Sequence, residues 1–277
     1  MHRIIDWEEL WKAIYAGGSG RRKKDRDPGA AWDAKAAAYE CAVRGEADTT
    51  AREMEMMGLL PSDTVLDMGA GTGRLAVPMA RRVAHVTALD PSEGMLGRLS
   101  AHMQEAGLDN YTLLRMRWED AIIGENVPVH DTVVAAYSLG FYDIGTALKK
   151  IDAAARRCVC LFWHAGEWRS GDETALREAA FGTEERHAGY PDHLFLINIL
   201  HDMEIYADVT VYETTVESRY PSVEVAAEQW STLHETPPET LDLVTDHFTR
   251  MLHPDGEGGY IHRKQRRQAM IHWEKEA

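Results

Sequence analysis

The segment from Thr64 to Asp90 constrains the fold more than any other part of the chain. It begins with a short apolar run that ends in Asp67, continues through a glycine cluster and an amphipathic stretch, and closes with a second apolar run that ends in Asp90. This order of strand, glycine turn, helix, strand and acid predicts one βαβ unit. Glycines let a ligand lie against the backbone, and an acid after the second strand can accept hydrogen bonds from ribose hydroxyls. The segment therefore indicates a site for an adenosine-containing cofactor.

The spacing of the glycines distinguishes between such cofactors. Gly69, Gly71 and Gly73 follow the pattern G-x-G-x-G, whereas a dinucleotide site has G-x-G-x-x-G with a helix N-terminus facing a pyrophosphate. Asp67 stands just before this cluster, where a carboxylate would repel a pyrophosphate and would suit a cationic amino group. The pattern disfavours a nicotinamide dinucleotide. It favours a cofactor that carries an ammonium group and no phosphate.

Two motifs carry a family resemblance. The stretch VLDMGAGTG and the following DPSEGML resemble the first and second motifs of the class I S-adenosylmethionine-dependent methyltransferases. The resemblance implies S-adenosylmethionine as the cofactor, with an acid on the ribose and a later apolar residue against the adenine. The cofactor-binding residues that it assigns are Asp67, Gly69, Ala70, Gly71 and Gly73 from the first motif, and Asp90, Pro91 and Met95 from the second.

The resemblance also implies contacts after the third and fourth predicted strands. In the family, the turn after the third strand flanks the adenine through a backbone amide and an acidic side chain, and Trp118 and Glu119 stand at these positions. The fourth strand leads into Tyr137 and Ser138. Because ligands of open α/β sheets bind beyond the carboxyl ends of the strands, we expect both residues near the sulfonium.

The fold class that the resemblance implies is α/β, with a Rossmann-like, seven-stranded, mostly parallel sheet and an antiparallel last strand. N-terminal helices and helical insertions are expected to flank this sheet. The predicted parts are an N-terminal helical lid (1–60), a cofactor-binding core (61–165, completed by 206–217 and 266–277) and two substrate-covering insertions (166–205 and 218–265).

The predicted lid rests on a third similarity. The segment WDAKAAAY, which contains Trp32 and Tyr39, resembles a pattern found upstream of this methyltransferase core, where N-terminal helices fold over the cofactor. We expect both side chains to belong to the lid and the loop from Gly17 to Gly29 to act as its hinge. Packing between two helices is the alternative role for both. His193, in the first insertion, is a further candidate for the substrate side together with Ser138.

The catalytic residues are harder to predict. Methyl transfer from a sulfonium requires alignment of the acceptor and exclusion of water. A general base helps when the acceptor is a hydroxyl, an amine or a carbon acid. The candidates for such a base are Tyr137, His164, His193 and His201. Tyr137 and His164, which follow the fourth and fifth predicted strands, are preferred. Methylation of oxygen, nitrogen, sulfur or carbon stays open at this stage.

Composition limits the partners. The 277 residues include 45 acidic and 30 basic side chains, a formal net charge of −15, which disfavours a nucleic-acid substrate. A small-molecule acceptor is therefore expected. No apolar run approaches the roughly 20 residues that span a bilayer, the start lacks the layout of a signal peptide, and three cysteines provide no disulfide framework. These features predict a cytoplasmic protein without a membrane partner; the oligomeric state is left open.

Two other functions remain open. One is a non-catalytic sensor or scaffold that binds S-adenosylmethionine, and a less favoured one is a nicotinamide-dependent oxidoreductase. No metal is predicted. His187, His193 and His201 fall in one segment, but neither H-x-x-x-H nor C-x-x-C spacing occurs.

Overall fold

A computed structural model describes residues 5–17, 27–166, 171–182 and 191–275 of the chain. The predicted hinge loop from Gly17 to Gly29 falls mostly outside these residues. The strands are β1 Thr64–Met68, β2 His85–Asp90, β3 Tyr111–Arg115, β4 His130–Ala136, β5 Ala155–His164, β6 Asp208–Tyr220, β7 His253–Pro254 and β8 Tyr260–Glu274. The helices are α1 Trp7–Gly17, α2 Pro28–Asp33, α3 Ala36–Val43, α4 Ala47–Met56, α5 Ala76–Ala80, α6 Glu93–Glu105, α7 Ile144–Ala154, α8 Gly171–Phe181, α9 His193–Asp202, α10 Val223–His234 and α11 Leu241–Met251. Within the described ranges, no helix combines the length and hydrophobicity needed to cross a bilayer.

The strands form one sheet in the order β3-β2-β1-β4-β5-β8-β6, and the two-residue β7 pairs with β8. The strands β1 to β5 are mutually parallel, whereas β8 runs antiparallel to both β5 and β6. This confirms the predicted α/β fold with a mostly parallel sheet and an antiparallel last strand. β1 lies between β2 and β4, so the strand order reverses at β1, and ligands of open α/β sheets bind beyond the carboxyl ends of the strands at such a point. Asp67 is in register with Ala88 on one side and with Val134 on the other.

The two faces of the sheet carry separate hydrophobic layers, because successive side chains of a strand point to opposite faces. On β5, Leu161 and Trp163 face the layer that α1, α7 and α9 cover. Cys160 and Phe162 face the layer that α4, α5 and α6 cover. The sheet is thus covered by helices on both sides, and the carboxyl ends of its parallel strands form the edge at which a site can develop.

The helix α1 belongs to the core. Trp11 is fully buried, its indole Nε1 donates a hydrogen bond of 2.8 Å to the carbonyl oxygen of Phe141, and its ring lies 6.4 Å from that of Trp163. The described contacts therefore attach α1 to the layer beneath β4 and β5. In the described part of residues 1–60, α3 lies over the glycine loop and α2 over the start of α6, whereas α1 packs in the core. The extent of the predicted lid stays a prediction.

The second insertion is shorter than predicted. β6 and β8 stay paired from Asp208↔His272 to Tyr220↔Tyr260, although β5 pairs only with the last part of β8. The two strands therefore extend beyond the sheet as a ribbon. The insertion between them spans 221–259 instead of 218–265, because backbone pairing continues past the end of the central sheet. Its helices α10 and α11 form a small hydrophobic cluster of their own with α8, which includes Ala226, Val244 and Phe248.

Candidate cofactor and active site

The glycine loop after β1 adopts a conformation that requires glycine. Gly69 and Gly71 have φ angles of 76° and 54°, in the left-handed region that side chains disfavour. A Cβ atom on Gly69 would lie 2.4 Å from the Cβ of Ser138. The backbone amides of Gly69 and Ala70 donate hydrogen bonds of 2.8 and 3.0 Å to the carbonyl oxygen of Leu89, so the loop is fastened to the end of β2.

Asp90 holds the same loop from the end of β2. Its Oδ2 accepts a hydrogen bond of 3.0 Å from the amide of Gly71, and its Oδ1 accepts one of 2.9 Å from the amide of Ser92. Burial raises the pKa of this carboxyl, although the two amides act in the opposite direction. An ionised carboxylate can accept about four hydrogen bonds. Asp90 therefore retains the capacity for the two ribose hydroxyls that the resemblance assigns to it.

Asp67 supplies a carboxylate that lacks a partner. It is 3% exposed, and its Oδ2 is buried without a hydrogen-bond partner among the described residues. Burial raises the pKa of Asp67 to about 7, while the nearby Arg74 cation lowers it and Asp90 raises it further. A buried acceptor without a partner is costly, and a cationic ligand would satisfy it. This is the feature of the site that best fits the ammonium group of S-adenosylmethionine.

α3 covers the glycine loop. A Cβ atom on Gly71 would lie 3.3 Å from Cε1 of Tyr39, so the tyrosine ring is directly above the loop. The rings of Tyr39 and Trp32 meet edge to face at 5.7 Å, and Trp32 itself is 36% exposed. The structure thus brings both predicted lid residues to the cleft, Tyr39 in contact with the loop and Trp32 behind it.

α2 covers the second motif. A Cβ atom on Gly29 would lie 2.5 Å from the carbonyl oxygen of Pro91. Oδ1 of Asp33 accepts hydrogen bonds of 2.5 Å from Oγ of Ser92 and 2.8 Å from the amide of Gly94. These polar contacts fasten α2 to the start of α6. Asp33 was not among the predicted site residues, although it stands next to Trp32 in the WDAKAAAY segment.

A buried polar cluster that the sequence did not predict lies beside this loop. Glu53 of α4 is fully buried, and its Oε1 accepts hydrogen bonds of 2.7 Å from the hydroxyl of Tyr137 and 3.0 Å from that of Tyr212. Arg74, which follows Gly73, donates from Nη1 to Oε2 of Glu53 at 2.6 Å. The sequence signal for this cluster was the spacing of Glu53, which stands one helical turn after Thr49 and therefore on the same buried face of α4.

This cluster argues against the predicted role of Tyr137 as a base. Burial, followed by the charge of Glu53, raises the pKa of Tyr137 well above its usual value, and the hydroxyl proton is donated to Glu53. A phenol in this environment stays protonated at neutral pH. Tyr137 has a φ of 56°, an uncommon backbone conformation for an aromatic residue, at the carboxyl end of β4. The structure therefore assigns it to the wall of the site.

His164 stands at the carboxyl end of β5, as predicted. Its imidazole ring lies 5.3 Å from the ring of Tyr137 and 5.2 Å from that of Trp163. Nε1 of Trp163 donates a hydrogen bond of 2.8 Å to the carbonyl oxygen of Pro191, which brings the start of α9 to this end of β5. His193 follows in the first turn of α9, largely buried and 3.8 Å from Asp192. Among the described residues, no group of three or more histidine, cysteine or acidic side chains is arranged to hold a metal ion.

Four predicted site residues have other contacts in the structure. The ring of Trp118 is buried in the core and donates from Nε1 to the carbonyl oxygen of Ala147 at 3.3 Å, so only its backbone can face the cofactor. The exposed carboxylate of Glu119 pairs with Arg117 at 3.1 Å. Oγ of Ser138 donates to the carbonyl oxygen of Met68 at 2.6 Å and thereby closes the turn after β4. Met95 is buried in the first turn of α6, where Oγ of Ser92 caps its amide at 3.0 Å.

Comparison with known proteins finds a matching domain and similar folds. Residues 65–158 match the sequence profile of a family described as a methyltransferase domain. A protein of Haemophilus influenzae, described as uncharacterized, is 31% identical over 184 residues, which are 66% of this chain and 66% of that relative. The YcgJ protein of Bacillus subtilis has a similar fold, with a TM-score of 0.56 at 15% identity over 83% of this chain and 99% of its own. Magnesium protoporphyrin IX methyltransferase of Synechocystis, solved with S-adenosylhomocysteine, gives a TM-score of 0.51 at 18% identity over 76% of this chain and 93% of its own.

Residues 65–158 match a methyltransferase domain, and the fold around them is similar to that of solved methyltransferase structures. The match agrees with the predicted enzyme, a methyltransferase, and with the predicted cofactor, S-adenosylmethionine. The matched domain contains β1 to β4 and the glycine loop, and it ends before α8 to α11.

Proposed function

We propose that this protein transfers the methyl group of S-adenosylmethionine to a small-molecule acceptor. The observation that carries the proposal is Asp67, a buried carboxylate with an unpartnered oxygen beside a glycine loop at the reversal of strand order. In this position a carboxylate suits a cationic cofactor and disfavours the pyrophosphate of a dinucleotide. The nicotinamide-dependent alternative is therefore not supported.

The residues of the cleft divide between the two reactants. Asp67 would hold the ammonium group and Asp90 the ribose, with Tyr39 above the glycine loop. When bound, the cofactor supplies an electrophilic methyl group on a sulfonium. His164 would accept the proton of an acceptor that must lose one, because Tyr137 already donates its own hydroxyl proton to Glu53. The element that is methylated, oxygen, nitrogen, sulfur or carbon, depends on the acceptor.

A small acceptor fits the covered cleft. α2 and α3 lie over both cofactor motifs, and a cover of this kind suits a small acceptor. The net charge of −15 would repel nucleic acid. One structural neighbour, the Synechocystis enzyme, is by its name a methyltransferase of a porphyrin, which is a small molecule. We further propose a cytoplasmic location, which the three free cysteines support.

Two measurements test the proposal in sequence. Calorimetry with S-adenosylhomocysteine should detect binding to the wild-type protein, and binding of NAD instead would overturn the assignment of the cofactor. Incubation with methyl-labelled cofactor and a metabolite extract should then give a labelled small product. A labelled macromolecule would contradict the proposed substrate class. Binding without turnover of any acceptor would favour a sensor or scaffold.

A further inference from the structure

Glu235, the residue that ends α10, has an unfavourable backbone conformation. Its φ is 54° and its ψ is 48°, and its amide donates a hydrogen bond to the carbonyl oxygen of Ser231. Glycine usually occupies this left-handed position at the end of a helix, because it has no Cβ atom that would be crowded there. A glutamate therefore costs energy that a glycine would avoid. Strain of this kind indicates that the side chain has a role of its own.

The side chain of Glu235 contacts the helices over the cleft, α2 and α3, which we call the cover. Its Oε1 lies 2.7 Å from Nζ of Lys35, the residue just before α3. The side chain of Lys35 is only 11% exposed, whereas that of Glu235 is 40% exposed. A nearly buried ammonium group requires an opposite charge. Glu235, which belongs to the insertion of residues 221–259, supplies one to the cover.

The contacts of Lys35 continue to the glycine loop. Its Nζ lies 5.4 Å from the ring centre of Trp32, and this ring meets that of Tyr39 edge to face at 5.7 Å. Tyr39 in turn lies over Gly71, where a Cβ atom would be 3.3 Å from its Cε1. A continuous series of contacts thus connects the end of α10 with the loop that follows β1.

The cover is held from two sides. Asp33 accepts hydrogen bonds from the start of α6, which belongs to the core of the protein. Lys35, two residues later, faces the insertion instead. Just beyond the other end of α3, Glu46 pairs with Arg266 of β8 at 2.6 Å. α3 is therefore attached to the insertion at its start and to the ribbon of β6 and β8 close to its end.

We propose that the ion pair of Lys35 and Glu235 is a latch, which holds the cover over the glycine loop and must break before the cofactor can be exchanged. The inference rests on the proposed function and gives the insertion a part in each cycle, since the demethylated cofactor has to leave after every transfer. A partly exposed ion pair suits a latch. Its contribution is small enough for the pair to break and form again, and salt weakens it.

The test uses a substitution that removes the latch without straining the chain. Glu235→Gly removes the carboxylate and relieves the backbone conformation, so the variant should unfold at the same denaturant concentration as wild type or a higher one. Stopped-flow measurement should show that it releases S-adenosylhomocysteine about 3- to 10-fold faster, the range for a partly buried ion pair. Amide exchange in residues 27–43 and 223–234 should become faster as well.

The chain offers a matched control in Glu204. This glutamate also has a left-handed backbone, with a φ of 63°, and it follows α9, which packs on the other face of the sheet from α4, α5 and α6. Glu204→Gly relieves the same kind of strain and should leave the release rate unchanged. Lys35→Met removes the latch from the other side. The double variant with Glu235→Gly should release the ligand no faster than either single variant, because both changes remove one interaction.

The outcomes distinguish the latch from the proposed function. Release and amide exchange at the wild-type rates in Glu235→Gly would overturn the latch, and so would an equal acceleration in Glu204→Gly. Effects of Lys35→Met and Glu235→Gly that multiply in the double variant would show that the two residues act separately, which also contradicts it. Failure of the wild type to bind S-adenosylhomocysteine would instead overturn the proposed cofactor. Amide exchange of the free protein would still test the ion pair in that case.

Discussion

Tyr137 donates a hydrogen bond of 2.7 Å from its hydroxyl to Oε1 of Glu53, a residue 84 positions earlier in the chain. This contact joins the end of β4 to the buried face of α4. It fixes the ring of Tyr137 beside His164 and keeps the phenol protonated. Tyr137 therefore does not fit the role of a general base, and His164 is the candidate that we propose for it.

The first prediction separates these two residues. Tyr137→Phe keeps the ring and removes only the hydroxyl, so we expect methyl transfer to continue with a stability loss of about 1–2 kcal/mol for the lost hydrogen bond. His164→Asn should lower the rate of labelled methyl transfer by about 100-fold or more if the acceptor must lose a proton. An acceptor that needs no base would leave His164→Asn active. Loss of activity in Tyr137→Phe with intact cofactor binding would contradict the assignment of Tyr137 to the wall.

The second prediction concerns pH. Burial raises the pKa of Asp67 to about 7 in the folded protein, compared with about 4 in an unfolded chain. When the pH lies between these two pKa values, Asp67 has lost its proton in the unfolded chain but keeps it in the folded protein. The free energy of unfolding therefore falls as the pH rises from about 4 to about 7, and this contribution is constant above that range. Urea denaturation of the wild type and of Asp67→Asn should show that the variant lacks this part of the decline.

The affinity for the cofactor should also depend on the ionisation of Asp67. It should rise with pH over the range in which the free energy of unfolding falls. The ammonium group requires the ionised form of Asp67, so the affinity for S-adenosylhomocysteine should rise between about pH 5 and pH 7, by at most about tenfold per pH unit. It should then level off until the amino group of the ligand loses its proton. Asp67→Asn should bind more weakly at pH 7 and lack the rise. If the affinity of Asp67→Asn rises with pH by the same amount, the titrating group is a different one, such as Asp90, whose pKa is also raised by burial.

The third prediction tests the turn after β1. Gly69→Ala places a Cβ atom 2.4 Å from the Cβ of Ser138 at a φ of 76°, so we expect a stability loss of about 2–5 kcal/mol from backbone strain and overpacking. Gly97→Ala is the matched control, because this glycine lies in α6 with open space around its Cβ position. Alanine should stabilise that helix by about 0.5–1 kcal/mol. Chemical denaturation measures both, and equal values would contradict the turn geometry.

The fourth prediction concerns the cover over the cleft. Asp33→Ala removes the hydrogen bonds that fasten α2 to Ser92 and Gly94, so amide exchange across residues 27–43 should become about tenfold faster. Binding of S-adenosylhomocysteine should slow exchange in the same residues of the wild type. The amides of α1 serve as the internal control, because Trp11 anchors that helix in the core. A change in α1 of the same size would mean that the N-terminal helices move as one unit.

The sequence predicted correctly those parts of the fold that are formed by residues close together in the chain. The run from Thr64 to Asp90 forms a strand, a turn and a second strand within 27 residues, and the local alternation of apolar and glycine residues reports this directly. The extent of the hairpin of β6 and β8 was underestimated. Its outer half carries polar side chains on both faces, so no apolar alternation marks where the pairing ends.

The sequence by itself determined the cofactor motif, the parallel sheet and the positions of Asp67, Asp90 and His164, since strand order places consecutive carboxyl ends at one edge. Only the tertiary structure decided which side chains meet there. Glu53, Tyr137 and Tyr212 come from three distant segments, and a hydrogen bond between segments that are 84 and 159 residues apart leaves no periodic trace in the chain. The same holds for the placement of Tyr39 above Gly71. Burial and proximity are properties of the packed chain, and they determine which of the candidate groups can hold a charge or a proton.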